Sequence, residues 1–232
     1  MYQKTTDETV YIIKPPPAIF YFVECVFSYN PSNHVCYGFL RTNIPEAMPY
    51  FESLILRHAR TANNPLFLMG MIAEWQNENI CMTCTKIGNN IMKIENKSGH
   101  KVYNCAPVMD DAPETASFDL QVVVSDDPTR FQSLTADLAT LNYRIATAEL
   151  YATSSMNLCD LGLKQNDDQL GDSLLQSSSN LRDIKELRQQ IECVANSLYQ
   201  SKLRLHMFGK RAQFQVSTVR MTEPRNMLII GS

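Results

Sequence analysis

With 232 residues, 21 basic against 24 acidic side chains and a formal net charge of -3, the chain is long enough to bury a core without covalent staples. It has none of the positive excess that draws proteins to phosphate backbones, so nucleic acid is not an expected partner. Seven cysteines, an odd number without the dense spacing of a secreted disulfide scaffold, with no signal-peptide-like segment ahead of them, point to reduced thiols and a cytoplasmic setting.

In chain order, β-structure comes first. Tyr11, Ile12 and Ile13 read as a short strand, and the triple proline Pro15 to Pro17 as an extended break. Ile19 to Tyr29 is crowded with aromatic and β-branched residues, and Val35 to Leu40 follows a turn at Asn30, Pro31, Ser32 and Asn33, which together predict a hairpin. After Pro45 the period changes: Met48, Phe51 and Ile55 recur at three or four residues, and Pro45 and Glu46 suit the first turn of a short helix ending near Thr61. Asn63, Asn64 and Pro65 supply a cap and a first-turn proline for a longer helix. Its apolar positions Leu66, Met69, Ala73, Ile80, Cys84, Ile87, Ile91 and Ile94 share one face, and Ser98 and Gly99 mark its end. Lys101 to Pro128 reads as a connector with one strand-like stretch, Leu120 to Val124.

From Thr129 a seven-residue repeat begins. Phe131, Leu134, Leu138, Leu141, Ile145, Ala148, Ala152 and Cys159 occupy its apolar positions, interrupted only by Ser155. Lys164 to Ser179, rich in Asp, Gln and Ser, has the composition of a solvated linker. A second repeat then places Leu181, Ile184, Leu187, Ile191, Val194, Leu198, Leu205 and Phe208 in line, with Ser201 as a polar gap and Gly209 as a weak point. Neither apolar run elsewhere, Ala18 to Phe27 or Pro65 to Ala73, approaches the roughly 20 residues needed to cross a bilayer, so no membrane span is expected.

Chemistry is sparse. Cys81 and Cys84 have the spacing of a metal knuckle or redox couple, but no second ligand pair accompanies them and both fall mid-helix on the apolar side, where small buried hydrophobes are expected. His34, His58, His100 and His206 are scattered without the i, i+4 spacing that gathers ligands. The carboxylate pairs Asp110 with Asp111, Asp126 with Asp127 and Asp167 with Asp168 could hold a hard cation only if folding converged them; solvated turns are the expectation. With no phosphate cradle, nucleophile elbow or His-Glu-x-x-His helix, the chain is not expected to be an enzyme, and no catalytic residue, metal ligand or cofactor is assigned.

The layout resembles a group of filamentous-fungal proteins that are distant members of the CorA-type divalent-cation transporter superfamily. The resemblance rests on Ser28 Tyr29 Asn30 Pro31 at a turn, Tyr37 Gly38 Phe39 Leu40 in the next strand, Asn64 Pro65 Leu66 Phe67 Leu68 opening a helix, and Arg211 Ala212 Gln213 Phe214 Gln215 Val216 late in the final helix. CorA-type transporters conduct through two C-terminal membrane helices joined by a Gly-Met-Asn signature. Here the only Gly-Met step is Gly70 Met71, followed by Ile72. The resemblance therefore implies the cytosolic part alone, without the membrane helices.

Together these readings predict an α+β, predominantly helical fold. Residues 1–128 would form a small N-terminal β-sheet with short helices, 129–221 a long antiparallel helical hairpin with a linker at 164–179, and 222–232 a tail. The expected interaction seam comprises Phe131, Leu134, Leu138, Leu141, Ile145, Ile184, Leu187, Ile191, Val194, Leu198, Leu205 and Phe208. The functional expectation is a non-enzymatic CorA-like module assembling through long helices as a homo-oligomer. The alternatives are a helical adaptor recruiting a protein partner through the heptad face and, behind both, a metal-dependent enzyme.

Overall fold

The computed structural model describes residues 2–4, 9–14, 23–30, 35–58, 64–99, 128–172 and 178–227. Four strands come first, β1 (Tyr2–Lys4), β2 (Thr9–Ile13), β3 (Val23–Asn30) and β4 (Val35–Thr42), followed by helices α1 (Ala47–Arg57), α2 (Pro65–Ser98), α3 (Pro128–Asp172) and α4 (Ser178–Met227). The fold is α+β and predominantly helical, as the periodicity predicts. Residues 19–22 of the expected hairpin, its turn at 31–33 and the expected strand at 120–124 lie outside the described residues.

The sheet is an antiparallel meander in the order β1-β2-β3-β4. Alternation along β3 sends Val23, Cys25 and Phe27 to a buried face and Val26 to an exposed one. Directly opposite residues share a face, so Tyr11 of β2, paired with Phe27, joins the buried side, where the two rings stack at 4.7 Å. Strand β1 was not expected from the sequence: three residues are too few for a visible period, and it exists through pairing with β2, Tyr2 opposite Tyr11.

Helix α1 begins at Ala47, after a turn closed by the Ala47 amide donating to the Ile44 carbonyl at 3.1 Å, and ends at Arg57, short of the expected Thr61. Its Tyr50 and Phe51 meet Trp75 of α2 at 5.0 and 5.6 Å between ring centroids. The predicted start of α2 is realised: Asn64 Oδ1 accepts from the Leu66 amide at 2.9 Å, satisfying a first-turn donor, and Pro65 takes the first helical position. At the other end Gly99 turns left-handed, φ 76°, a conformation a Cβ would oppose.

The chain forms two compact units, residues 1–83 with 147–203 and residues 84–146 with 204–232. The first holds the sheet, α1, the start of α2, the end of α3 and the start of α4; the second holds the remaining segments of the three long helices.

In the first unit the helical packing departs from the expected two-helix hairpin, because α2 is a third member. All of Pro65 to Ala73 except Leu68 is buried, so this stretch is covered on every side rather than along one stripe. Ile191 of α4 fills the space left by two glycines: a Cβ on Gly70 of α2 would meet Ile191 Cγ1 at 3.4 Å, and one on Gly162 of α3 would meet Ile191 Cδ1 at 3.3 Å. Contacts of Gly162 with Ile191 and of Asp167 with Arg188 set α3 antiparallel to α4, whereas Gly70 with Ile191 and Cys81 with Ser201 set α2 parallel to α4.

The second unit repeats this directionality. Gly88 lies against Phe208 and Ser98 against Gln215, α2 with α4, while Lys97 pairs with Asp137, α2 with α3. Its core is Cys84, Ile87, Ile91 and Ile94 from α2, Leu134, Leu138, Leu141 and Ile145 from α3, and Leu205 and Ala212 from α4. Gly209 faces Ile145 at ordinary contact distance within an unbroken α4.

The linker expected at 164–179 is largely helix. Helix α3 continues through Asp172, and α4 starts at Ser178. Composition misleads because Gln165 and Asp167 are held by tertiary contacts: the Tyr11 hydroxyl donates to Gln165 Oε1 at 3.0 Å, and Arg188 of α4 forms an ion pair with Asp167. Likewise α4 runs to Met227 and absorbs much of the tail expected from 222. No helix among the described residues is long and apolar enough to cross a membrane.

Ile191 is 1 % exposed in its slot between two glycines. Ile191→Ala is expected to cost about 3 kcal/mol, the transfer term plus the cavity left among helices that cannot collapse further. Urea unfolding followed by circular dichroism measures it; an unshifted midpoint would remove the wedge from this account.

Candidate functional site

The residues expected to form one interaction seam are divided between the two units and enter the core of each: Ile184, Leu187, Ile191, Val194 and Leu198 the first, Leu134, Leu138, Leu141, Ile145 and Leu205 the second. Leu134, Leu138, Leu141, Ile145, Ile184, Leu187, Ile191, Val194, Leu198 and Leu205 are 0 to 7 % exposed. Phe208 is half-buried with its ring over Gly88 of α2, and the side chain of Phe131 lies outside the described residues. Two facing rows would leave a flank of each open; here α2 lies along them in each unit. This correction concerns what covers the seam, and its cause is the wide apolar stripe of α2 itself.

Polar groups enter these cores at defined layers. In the first unit Ser201 of α4, 3 % exposed, has its Oγ 3.6 Å from Cys81 Sγ of α2. Cys81 thus differs from the expected inert hydrophobe: it is half-buried, with Asn77 Oδ1 at 3.8 Å as a second partner, whereas Cys84 is buried as expected. The other gap in the repeats, Ser155 of α3, is fully buried and donates to the Tyr151 carbonyl of its own helix at 2.9 Å.

In the second unit lies a charged layer that the sequence reading did not single out. Arg211 of α4 grips Glu95 of α2 with two parallel bonds, Nε to Oε1 at 3.0 Å and a terminal nitrogen to Oε2 at 2.8 Å, and the side chains are 14 % and 4 % exposed. One turn on, Ser98 Oγ donates to the buried Gln215 Oε1 at 2.8 Å. A forked guanidinium satisfies both carboxylate oxygens at once, which is what allows the pair to sit out of water. A sequence signal existed: Glu95 stands four residues after Ile91, on the buried stripe, where an ionised residue needs a partner. Beside this pair, Gly88, Met92, Arg204 and Phe208 line an open cavity of about 380 Å³ between α2 and α4.

Burial raises several titratable groups. Desolvation pushes the Cys25 thiol up to about 12, with the neighbouring Cys36 adding to it, and pushes Cys159 up to about 12, with Asp160 adding. The Tyr151 phenol rises to about 12 for the same first reason, opposed by a hydrogen bond from Gln76. The two buried thiols, Cys25 and Cys159, are the reverse of activated nucleophiles.

Of the histidines, His58 stacks loosely on Phe67 at 5.8 Å after the last turn of α1 and His206 is exposed on α4, while His34 and His100 lie outside the described residues. Asp167 is exposed in its ion pair with Arg188; the other two carboxylate pairs and the side chain of Asp168 lie outside the described residues. Among the described residues no group of three or more His, Cys, Asp or Glu side chains is placed to hold a metal ion. No protein-family model, curated protein or solved structure matches this chain.

Three expectations follow from these buried groups. Removing one partner of a buried ion pair strands the other, so Glu95→Ala should destabilise by about 3 kcal/mol, while the double replacement Glu95→Leu with Arg211→Leu should recover most of that loss; a double-mutant cycle in urea checks this, and equal losses in both would dissolve the coupling. For the thiols, alkylation under native conditions at pH 8 should modify the exposed Cys193 and spare Cys25 and Cys159 until the protein unfolds. The pH dependence has a definite sign. From pH 9 to 12 the unfolded chain has already released protons that folded Cys25 and Cys159 retain, so stability should fall as pH rises through that window.

Proposed function

We propose that this chain is a non-enzymatic helical module, similar to the cytosolic part of a CorA-type transporter but without a pore, acting in the cytoplasm and assembling with copies of itself through its long helices. The observation that supports the reading is that α4 has two apolar faces. Its inner face carries Ile184 through Leu205 into the cores. Its outer face carries large apolar side chains in the open: Tyr199 and Leu203 in the first unit, 50 % and 43 % exposed, and Met207 and Phe214 in the second, 61 % and 53 % exposed. A four-residue step joins the first pair and a seven-residue step the second, so each pair lies along one line of helix surface.

Apolar groups repeated at helical spacing on an outer face favour burial against another surface, and a second copy offers the same one by symmetry. A recruiter working through the heptad rows would first have to displace α2 from them, which costs the burial of its own core. The outer face therefore replaces the heptad rows as the surface through which assembly would occur.

Sedimentation velocity over a wide concentration range tests the proposal. The full chain should self-associate, and Leu203→Glu combined with Met207→Glu should shift it toward monomer with helical content unchanged, because both positions are exposed. A chain that stays monomeric throughout, or a double variant that associates as well as the parent, refutes it.

A further inference from the structure

Within the second unit, α2 and α3 leave a groove of about 270 Å³ whose charge runs against that of the whole chain. Lys93 and Lys97 reach it from α2 and Arg144 from α3, and among the described residues the one lining carboxylate is Asp137. Asp137 is already engaged, its Oδ2 accepting from Lys97 Nζ at 2.9 Å. Among the described lining residues, three cations less one anion leave +2, in a chain whose formal charge is -3.

Two helix arginines of this chain carry their own counter-charge, whereas Lys93 and Arg144, like Lys86, Lys202 and Lys210, have no acidic residue three or four positions away. Arg182 and Arg188 each have a glutamate four residues on, at 3.0 and 2.9 Å. Lys93 instead has Lys97 at that position and asparagines at the others within reach, Asn89, Asn90 and Asn96; around Arg144 the corresponding residues are Thr140, Leu141, Thr147 and Ala148. Like charges at i, i+4 oppose the helix by a few tenths of a kcal/mol. Neither Lys93 nor Arg144 forms an ion pair among the described residues. What sets Lys93 and Arg144 apart is that they line one groove together with Lys97, so an anion entering it meets three cations at once.

We infer that the groove between α2 and α3 binds a phosphate monoester through Lys93, Lys97 and Arg144. A monoester carries a charge of about -1.5 to -2 at neutral pH, which matches the surplus, whereas a lone carboxylate leaves one cation unanswered. Guanidinium donors fit phosphate oxygens as a fork, and lysine ammonium groups add point charges. Asn90 and Thr140 supply neutral hydrogen-bonding groups at the wall. Ile94 and Leu141, which belong to the core, form an apolar floor suited to the carbon skeleton of the ester. The same chemistry is offered by a soluble phosphorylated metabolite and by a phosphomonoester lipid headgroup, and both sources fit the open groove.

The test uses the full chain and a Lys93→Gln, Arg144→Gln double variant; both side chains are exposed, so the fold should persist, with circular dichroism as the check. Glycerol 3-phosphate is titrated calorimetrically with acetate as the comparison, and sedimentation with phosphatidylcholine vesicles is measured with and without phosphatidic acid. Saturable binding in either arm, weakened about tenfold or more in the double variant, is the expected result. Binding of the soluble ester identifies a metabolite site, and binding confined to phosphatidic acid vesicles identifies a headgroup site. Absence of binding in both arms, equal binding by the double variant, or acetate bound as well as the ester overturns the inference.

Discussion

The contact on which the first unit depends is the insertion of Ile191 between Gly70 and Gly162. Helix axes approach as closely as the side chains between them allow, and two glycines opposite one β-branched residue draw three helices around a single point. Once α2 is held there, its first nine residues are nearly all buried, and the aromatic pair Tyr50 and Phe51 has Trp75 to pack against. The sheet is tethered to the same core through the Tyr11 hydroxyl on Gln165. Dispersion contacts fade within an ångström of lost fit, so this close approach gives the core its density as well as its geometry.

Hydrophobic rows alone leave helices free to slide by a heptad, because each step presents another apolar residue. The buried polar layers oppose sliding. In the first unit a one-turn shift takes Ser201 away from Cys81; in the second it separates Arg211 from Glu95 and Gln215 from Ser98, leaving buried groups without partners. The two layers differ in strength, since the neutral contact tolerates loss and the ionic one does not. With the inner faces fixed in this way, the exposed apolar pair of α4 in each unit and, in the second, the lysines and arginine lining the groove between α2 and α3 are left outside the cores.

Helix starts and stops were readable because their causes are local. Asn64 and Pro65 open α2 by satisfying or removing a first-turn donor, and Gly99 closes it by adopting a positive φ. The hairpin β3 and β4 was readable from clustered β-branched and aromatic residues, but β1 was not, since only its partner strand makes it one. The stretch from Lys164 misled for the opposite reason: its polar composition is that of a loop, yet Gln165 and Asp167 have distant partners that prolong the helix.

The sequence by itself determined which residues are apolar at helical spacing, and so which side chains enter the cores: Leu134 to Ile145 and Ile184 to Leu205 are buried as their repeat requires. Only the tertiary structure decided what those rows face. Periodicity records a side of a helix and not its neighbour, so a seam filled by α2 looks the same in the chain as one awaiting another molecule. The pairing of Glu95 with Arg211 and the convergence of Lys93, Lys97 and Arg144 belong to the same class, because a charge at a given position states a need for compensation while its partner is set by packing far along the chain.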